Sequence, residues 1–336
     1  MPAIPRAPVH FAEIFRTKVW GGRRLQRLLG KRLPPREPVG ESWEVSDHPN
    51  GQSVVDDGPL AGTTLHDLVQ RDESGLIGRR GALAPGGRFP LLFKFADAAQ
   101  PLSVQVHPDD AYAREHGAGE SGKSEAWCVL QTAPGARIAR GLVPGITRET
   151  FAEAIRANAV ERLLRFVEVR RGDVVDLPAG TVHALGAGVL VAEIQQSSDA
   201  TYRIWDWNRT GLDGKPRELH VESALDVIRF DETSKGGPLV HPEVLVRERP
   251  WHERLVANDA FTFDRFTATE PFELRPAALK SFVVLSVTEG EGALAWDGDS
   301  RPVARGQTLL LPGAMKSVAV KPRGRMELLA MSLPLK

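Results

Sequence analysis

A single cysteine, Cys128, rules out an internal disulfide framework and a thiolate zinc finger. It lies in the apolar run Ala126-Trp-Cys-Val-Leu130, where it reads as a small buried hydrophobe rather than a nucleophile. An excess of charge is also missing. The 43 basic residues balance the 43 acidic ones, so no polycationic surface is set up for nucleic acid or anionic lipid, and neither is expected as a partner. No apolar run approaches membrane-spanning length, and the opening MPAIPRAPVHFAEIF lacks the apolar core of a signal peptide. A soluble cytoplasmic protein is the expectation. What is present is ordinary for a globular chain: 42% hydrophobic and 26% charged residues, over a length that suits two or three modest domains. The 25 prolines and 32 glycines are scattered, as many short strands joined by tight turns require.

The segment PLSVQVHPDDAYAREHGAGESGKSE, Pro101 to Glu125, carries the densest chemistry. Leu102, Val104 and Val106 alternate with Ser103, Gln105 and His107, so a strand would hold the hydroxyl, the amide and the imidazole on one face. Those three are poor core material and good lining for a polar pocket. Pro108 ends the strand, and Asp109 and Asp110 follow as turn or cap residues. Glu125 then opens a second apolar strand from which its carboxylate can face His107. A further strand-turn-strand piece, Leu177-Pro-Ala-Gly-Thr-Val-His183, ends in another histidine. Gln105, His107 and Glu125 offer three of the donors that zinc takes, or else His107 is a hydrogen-bonded surface histidine and Glu125 a solvated charge; with His183 as a second strand-borne histidine, the set suits a metal in the mouth of a β-barrel.

Along the rest of the chain, Arg23 to Leu29 is expected as a short helix ended by Gly30, and Thr64 to Arg71 as another. Gly40 to Ser46 and Gln52 to Val55 read as strands about the turn Asp47-His-Pro-Asn-Gly51, which places His48 at the surface. Lys94, between Phe93 and Phe95 on a strand, either reaches solvent or points into a pocket. Residues 147–166 form a helical insertion, capped by Thr147 and completed by a second helix from Val160 to Phe166. In Thr201 to Arg209, alternation puts Arg203, Trp205, Trp207 and Arg209 on one face and Tyr202, Ile204, Asp206 and Asn208 on the other. Arg203 there suits either a surface cation–π pair or a fixed charge in a pocket. His220 to Ile228 is again helical. From about Gly236 short strands resume, and Pro312-Gly-Ala echoes Pro178-Ala-Gly, with Met315 and Lys316 near where the earlier copy has His183. The fold class expected is mainly β with a few helices. It comprises two cupin-like antiparallel β-barrels (jelly rolls) and a small helical segment. The domains are 1–235, binding the metal, and 236–336, without ligands.

Taken together, PLSVQVHPDD, GKSEAW, LPAGTVHAL and EIQQSSDATYRIWDWNR, with KVWGG and GESWEVS nearer the N-terminus, resemble type I mannose-6-phosphate isomerases of the shorter bacterial form. The resemblance follows the chain in order, although the last hundred or so residues match only as a second cupin-like barrel. It implies a zinc enzyme, one ion per chain, that interconverts mannose 6-phosphate and fructose 6-phosphate. It places the ligands on Gln105, His107, Glu125 and His183, the catalytic arginine on Arg203, the GKSE-box lysine on Lys123, and pocket residues on Lys94 and Ser103. The sequence departs from many relatives at Trp205 and Trp207, where tyrosine is common.

Moving a proton between C2 and C1 through an enediol needs a base, a stabiliser for the developing oxyanion and a grip on the phosphate. Zinc acts as a Lewis acid in such sites. Arg203 suits oxyanion stabilisation or positioning, since it does not readily give up its proton. Lys123 suits the base, with Glu193 or a zinc-bound water as competitors. Lys94 and Ser103 suit the phosphate. The expected partner is therefore a small sugar phosphate, and the chain a monomer or weak homo-oligomer. Two other readings fit the same residues: a metal-dependent cupin oxygenase, because two histidines and a carboxylate also hold iron, and a non-catalytic sugar-phosphate-binding cupin.

Overall fold

The computed structural model describes residues 6–116, 119–231, 237 and 239–334. The fold is mainly β, and its layering follows from which face of each strand is apolar. Leu91–Ala98 is buried throughout. Its Phe93 and Phe95 point one way, into a core shared with Leu68, Val284 and Met331. Ala96 and Ala98 point the other way, toward Trp127, Ile138 and Val191. A strand buried on both faces sits in the middle of the stack.

That strand belongs to a six-stranded antiparallel sheet in the order Val174–Leu177, Glu125–Thr132, Val189–Gln196, Leu91–Ala98, Ile14–Gly22 and Val39–Val45. A five-stranded sheet faces it: Leu164–Glu168, Arg137–Leu142, His183–Ala184, Val104–Val106 and Tyr202–Trp205. The helices Arg148–Arg156 and Val221–Val227 cover the outer face of this second sheet, packing Phe151 and Leu225 against Val106 and Ile204. Behind the six-stranded sheet lie the helices Arg24–Leu29, Leu65–Arg71 and Glu73–Ile77, followed by a seven-stranded sheet. A four-stranded sheet closes the far side over Leu285, Leu294, Leu311 and Val320.

Among the described residues no sheet closes into a barrel, although at one end of the six-stranded sheet Val39–Val45 pairs with both Ile14–Gly22 and Leu91–Ala98. The two expected barrels are therefore seen as two pairs of facing sheets. Alternation tells which residues point inward, but strand closure depends on tilt and stagger that alternation does not encode. The boundary expected at 235/236 falls outside the described residues. The N-terminal strand Val9–His10 pairs with Thr308–Leu311, so the start of the chain completes the seven-stranded sheet. Met315 is buried in the apolar layer between the seven- and four-stranded sheets, where the earlier block holds His183.

Helix ends follow their local signals. Gly30 ends the first helix at φ 69°, and Thr64 and Thr147 cap theirs through reciprocal side-chain hydrogen bonds. Three local expectations are corrected. Val160–Leu163 is a 3-10 turn that gives way to the strand Leu164–Glu168, because Leu164 packs against its neighbours in strand register with Leu142. His48 is buried, with only 4% of its surface exposed. The strand from Tyr202 stops at Trp205, since its pairing slips between Arg203 and Trp205 and both Trp207 and Asn208 adopt positive φ. The slip turns Asp206 inward and sends Trp205 and Trp207 outward, where they pack on each other and on the helical layer.

Candidate metal centre and substrate pocket

The polar residues excluded from the cores meet between the six- and five-stranded sheets. Gln105 lies directly opposite His183 in the five-stranded sheet, and Glu125 opens its strand in the other sheet. Gly180 makes this approach possible: it turns the chain at φ 84° and its N–H donates to the carbonyl of His107 at 2.9 Å. His107 Nδ1–H donates to the carbonyl of Ala200 at 2.8 Å and His183 Nδ1–H to that of Thr181 at 2.9 Å. Both rings are thereby left with Nε2 as the free donor, which is how ligating histidines are oriented.

The two Nε2 atoms stand 3.4 Å and 3.1 Å from the oxygens of Glu125, and the Gln105 amide 3.5 Å and 3.2 Å from the same nitrogens. Four donors at 2.0–2.1 Å from a tetrahedral ion would be about 3.3 Å apart. Both Glu125 oxygens are buried without a hydrogen-bond partner, although Lys123 Nζ comes within 2.9 Å of one and 3.0 Å of His107 Nε2. A buried carboxylate facing two imidazole nitrogens fits a divalent cation. Turned over, the Gln105 amide adds an oxygen to the set. Burial would raise the Glu125 pKa, but Lys123, His107 and His183 hold it well below the usual carboxylate range. Burial and then the Lys123 charge push His107 down to about 3, which leaves the ring neutral and free to ligate.

The six-stranded wall carries Lys94 buried rather than at the surface. Its Nζ lies 3.2 Å from Glu193 and 3.4 Å from Glu41. Burial works against the ammonium, yet Glu193 and Glu41 outweigh it and raise its pKa. Glu41 is held down to about 2: burial opposes ionisation, and Lys94, Lys18 and the Trp43 N–H overcome it. Glu193 is pushed up to about 7 by burial and by the Glu125 charge, against the pull of Lys94. Lys94 is thus already neutralised by two carboxylates, of which sequence reasoning found only Glu193. Glu41 lies in the GESWEVS segment, and its strand, buried on both faces, was the available signal.

Ser103 sits one strand step from Gln105, about 7 Å away on the same face. Its Oγ donates to Asp206 Oδ1 at 2.7 Å and accepts from Arg203 Nε at 3.0 Å and Arg217 Nη1 at 2.9 Å. Arg203 Nη1 also donates to the carbonyl of Glu218 at 2.8 Å. Arg209 braces Asp206 from the side at 2.7 Å. Burial and the neighbouring guanidinium depress the pKa of Arg203. Two arginines sharing one serine, with a single carboxylate between them, make a half-buried patch that favours an anion. Arg217 and Asp206 were not found from the sequence, because the first lies on a connecting loop and the second was assigned to the opposite strand face.

Residues 9–124 match the family described as phosphomannose isomerase type I, catalytic domain. The chain is 36% identical over 305 residues to mannose-6-phosphate isomerase ManA of Bacillus subtilis, covering 91% of this chain and 93% of that protein. It is 35% identical to mannose-6-phosphate isomerase of Streptococcus mutans, with 92% and 94% covered. The chain belongs to the mannose-6-phosphate isomerase family. The solved Bacillus subtilis mannose 6-phosphate isomerase superposes with a TM-score of 0.88 at 32% identity, over 97% of this chain and 99% of that one. The family match thus ends at Ser124, while the whole-chain relatives extend through Glu125, His183 and Arg203. Among the described residues no helix is long and apolar enough to cross a membrane.

Proposed function

We propose that this chain is a zinc-dependent aldose–ketose isomerase of the cytoplasm that interconverts D-mannose 6-phosphate and D-fructose 6-phosphate through an enediol. One observation carries the reading. Four donor groups converge at 3.1–3.5 Å, and a two-arginine anion patch begins one strand step away on the same face. That spacing suits a hexose phosphate lying along the strand, with its reacting end at the donors and its phosphate at Ser103. Gln105, His107, Glu125 and His183 would hold zinc, which when bound supplies Lewis acidity to the substrate oxygens.

The remaining steps belong to the protein's own side chains. Lys123, once its ammonium has given up a proton, takes the proton from C2 while O1 gains one, which gives the enediol. Return of a proton to C1 and loss of one from O2 gives the ketose. Glu193, fixed by Lys94, forms the opposite wall and is the second group able to exchange a proton there. Arg203 stabilises the charge developing on the substrate and, with Arg217 and Ser103, grips the phosphate. Lys94 shapes this wall through its two carboxylates rather than offering a free charge. Catalysis is assigned to a cupin-like unit spanning 1–235, and 236–336 forms a second such unit with an apolar interior.

The test is a coupled assay of fructose 6-phosphate formation from mannose 6-phosphate. It uses wild type before and after chelation and zinc restoration, beside His183→Ala. Activity lost on both treatments and restored by zinc only in wild type supports the reading. Folded, zinc-loaded protein that turns over neither hexose phosphate overturns it in favour of a sugar-phosphate-binding cupin. Turnover that consumes oxygen would point to the oxygenase, a reading the arginine patch disfavours.

A further inference from the structure

His48 takes no part in the chemistry proposed above, yet its side chain is only 5% exposed. Its Nδ1 accepts the N–H of Asn50 at 3.1 Å, so the neutral ring carries its proton on Nε2. That proton is directed at Glu120 Oε1, 2.9 Å away. The other oxygen of Glu120 accepts the N–H of Asp199 at 3.3 Å, and Asn50 Nδ2 donates to Asp199 Oδ2 at 2.8 Å. Three segments distant in sequence therefore meet at one carboxylate: the turn at 47–52, the loop at 119–124 and the loop at 197–200.

The two loops bracket one side chain. Lys123 follows Glu120 by three residues, and its Nζ lies 3.0 Å from His107 Nε2. Ala200 follows Asp199, and its carbonyl takes the Nδ1–H of His107 at 2.8 Å. Freeing Glu120 would remove one link between the loops on either side of His107 without touching any donor atom, while backbone bonds such as that from Lys123 N–H to the carbonyl of Pro108 remain.

We propose that His48 and Glu120 are positioning residues for the metal centre: His48 holds the Glu120 carboxylate, which through the Asp199 N–H links the two loops that fix the ring of His107 and the reach of Lys123. The inference rests on the reading of Gln105, His107, Glu125 and His183 as metal ligands. Outer partners of this kind change metal affinity or activity by roughly tenfold to a hundredfold.

The experiment compares the full chain with Glu120→Ala, Glu120→Gln and His48→Phe. Zinc affinity of the metal-free protein is measured by competition with a chromophoric chelator, beside kcat, KM and the thermal midpoint. Glu120→Ala and His48→Phe should each weaken zinc binding by about tenfold and lower kcat with little change in KM. Glu120→Gln keeps a carbonyl acceptor and should restore most of the affinity. Zinc affinity and kcat within about twofold of wild type, whatever the thermal midpoint, would make this corner purely structural and overturn the proposal. Should Glu120→Ala fail to fold, Glu120→Asp keeps the charge but shortens the reach, and the same readings decide. A wild type that binds no zinc would instead overturn the underlying reading of the site, an outcome separable from equal binding by wild type and variant.

Discussion

Ser103 and Asp206 are joined by a 2.7 Å hydrogen bond, and Arg203, Arg209 and Arg217 converge on the pair. Arg209 is committed to Asp206 and to the carbonyl of Pro101. Arg217 keeps a looser 3.7 Å approach to Asp206 and has donors to spare. On the proposed reading, a guanidinium in that position would contribute to phosphate affinity without touching the carbons that react. Arg217→Met should therefore raise KM for the hexose phosphate by about tenfold, the loss of one hydrogen bond to a charged group. It should weaken competitive inhibition by inorganic phosphate equally. Arg217→Lys should recover little, because the paired geometry of the guanidinium is lost. An unchanged inhibition constant for phosphate would show that the anion sits elsewhere.

Lys94 offers a test of buried electrostatics. Lys94→Met leaves Glu41 and Glu193 buried without their nearest cation, a type of change that costs about 3–5 kcal/mol. Glu193, already raised above its ordinary value of 4.5 by burial and the Glu125 charge, would then ionise in the folded protein only at still higher pH. The native state of the variant would hold more protons than the unfolded chain between that ordinary value and neutrality, so its stability falls as pH rises through the window. Urea unfolding should show a larger loss, relative to wild type, at about pH 8 than at about pH 5. The double variant Lys94→Met/Glu193→Gln should be more stable than the single one at the higher pH. A loss independent of pH would show that Lys94 stabilises through packing alone.

Much of the site could be read directly, for a local reason. Ser103, Gln105 and His107 sit two residues apart, and strand geometry alone puts them on one face. Glu125 and His183 open or follow turns whose glycine and proline residues mark where a strand begins. What escaped depends on tertiary context. The slip after Arg203 reverses the side on which Asp206 falls, and no feature of DATYRIWDWNR announces it. His48 lies in a turn sequence that is ordinarily exposed, and its burial comes from tertiary neighbours, Glu120 of the 119–124 loop and the ring of Trp43. Barrel closure was expected from strand number and spacing, neither of which fixes how edge strands end.

Cys128 gives a check on the layering. It points away from the pocket into the central core, and burial pushes its thiol up to about 12. A thiol so protonated and enclosed lacks the thiolate needed for reaction. The native protein should leave Ellman's reagent unreacted over an hour near neutral pH, and one thiol per chain should react in denaturant. Rapid labelling under native conditions would show that the core around Leu91–Ala98 opens readily.

Gly180 and Gly145 share a φ of 84°, yet they meet different surroundings. A Cβ on Gly180 would come within 2.8 Å of the carbonyl oxygen of Val227, whereas one on Gly145 would meet nothing within 4 Å. Alanine at either position bears the cost of left-handed backbone, about 1–2 kcal/mol. Only at Gly180 is there added displacement of the turn that leads to His183 and donates to the carbonyl of His107. Gly145→Ala should lower the melting temperature by a few degrees and leave zinc affinity intact. Gly180→Ala should lower it further and weaken zinc binding as well. Equal effects of the two substitutions on zinc affinity would mean that the turn's position is not what brings His183 to the other donors.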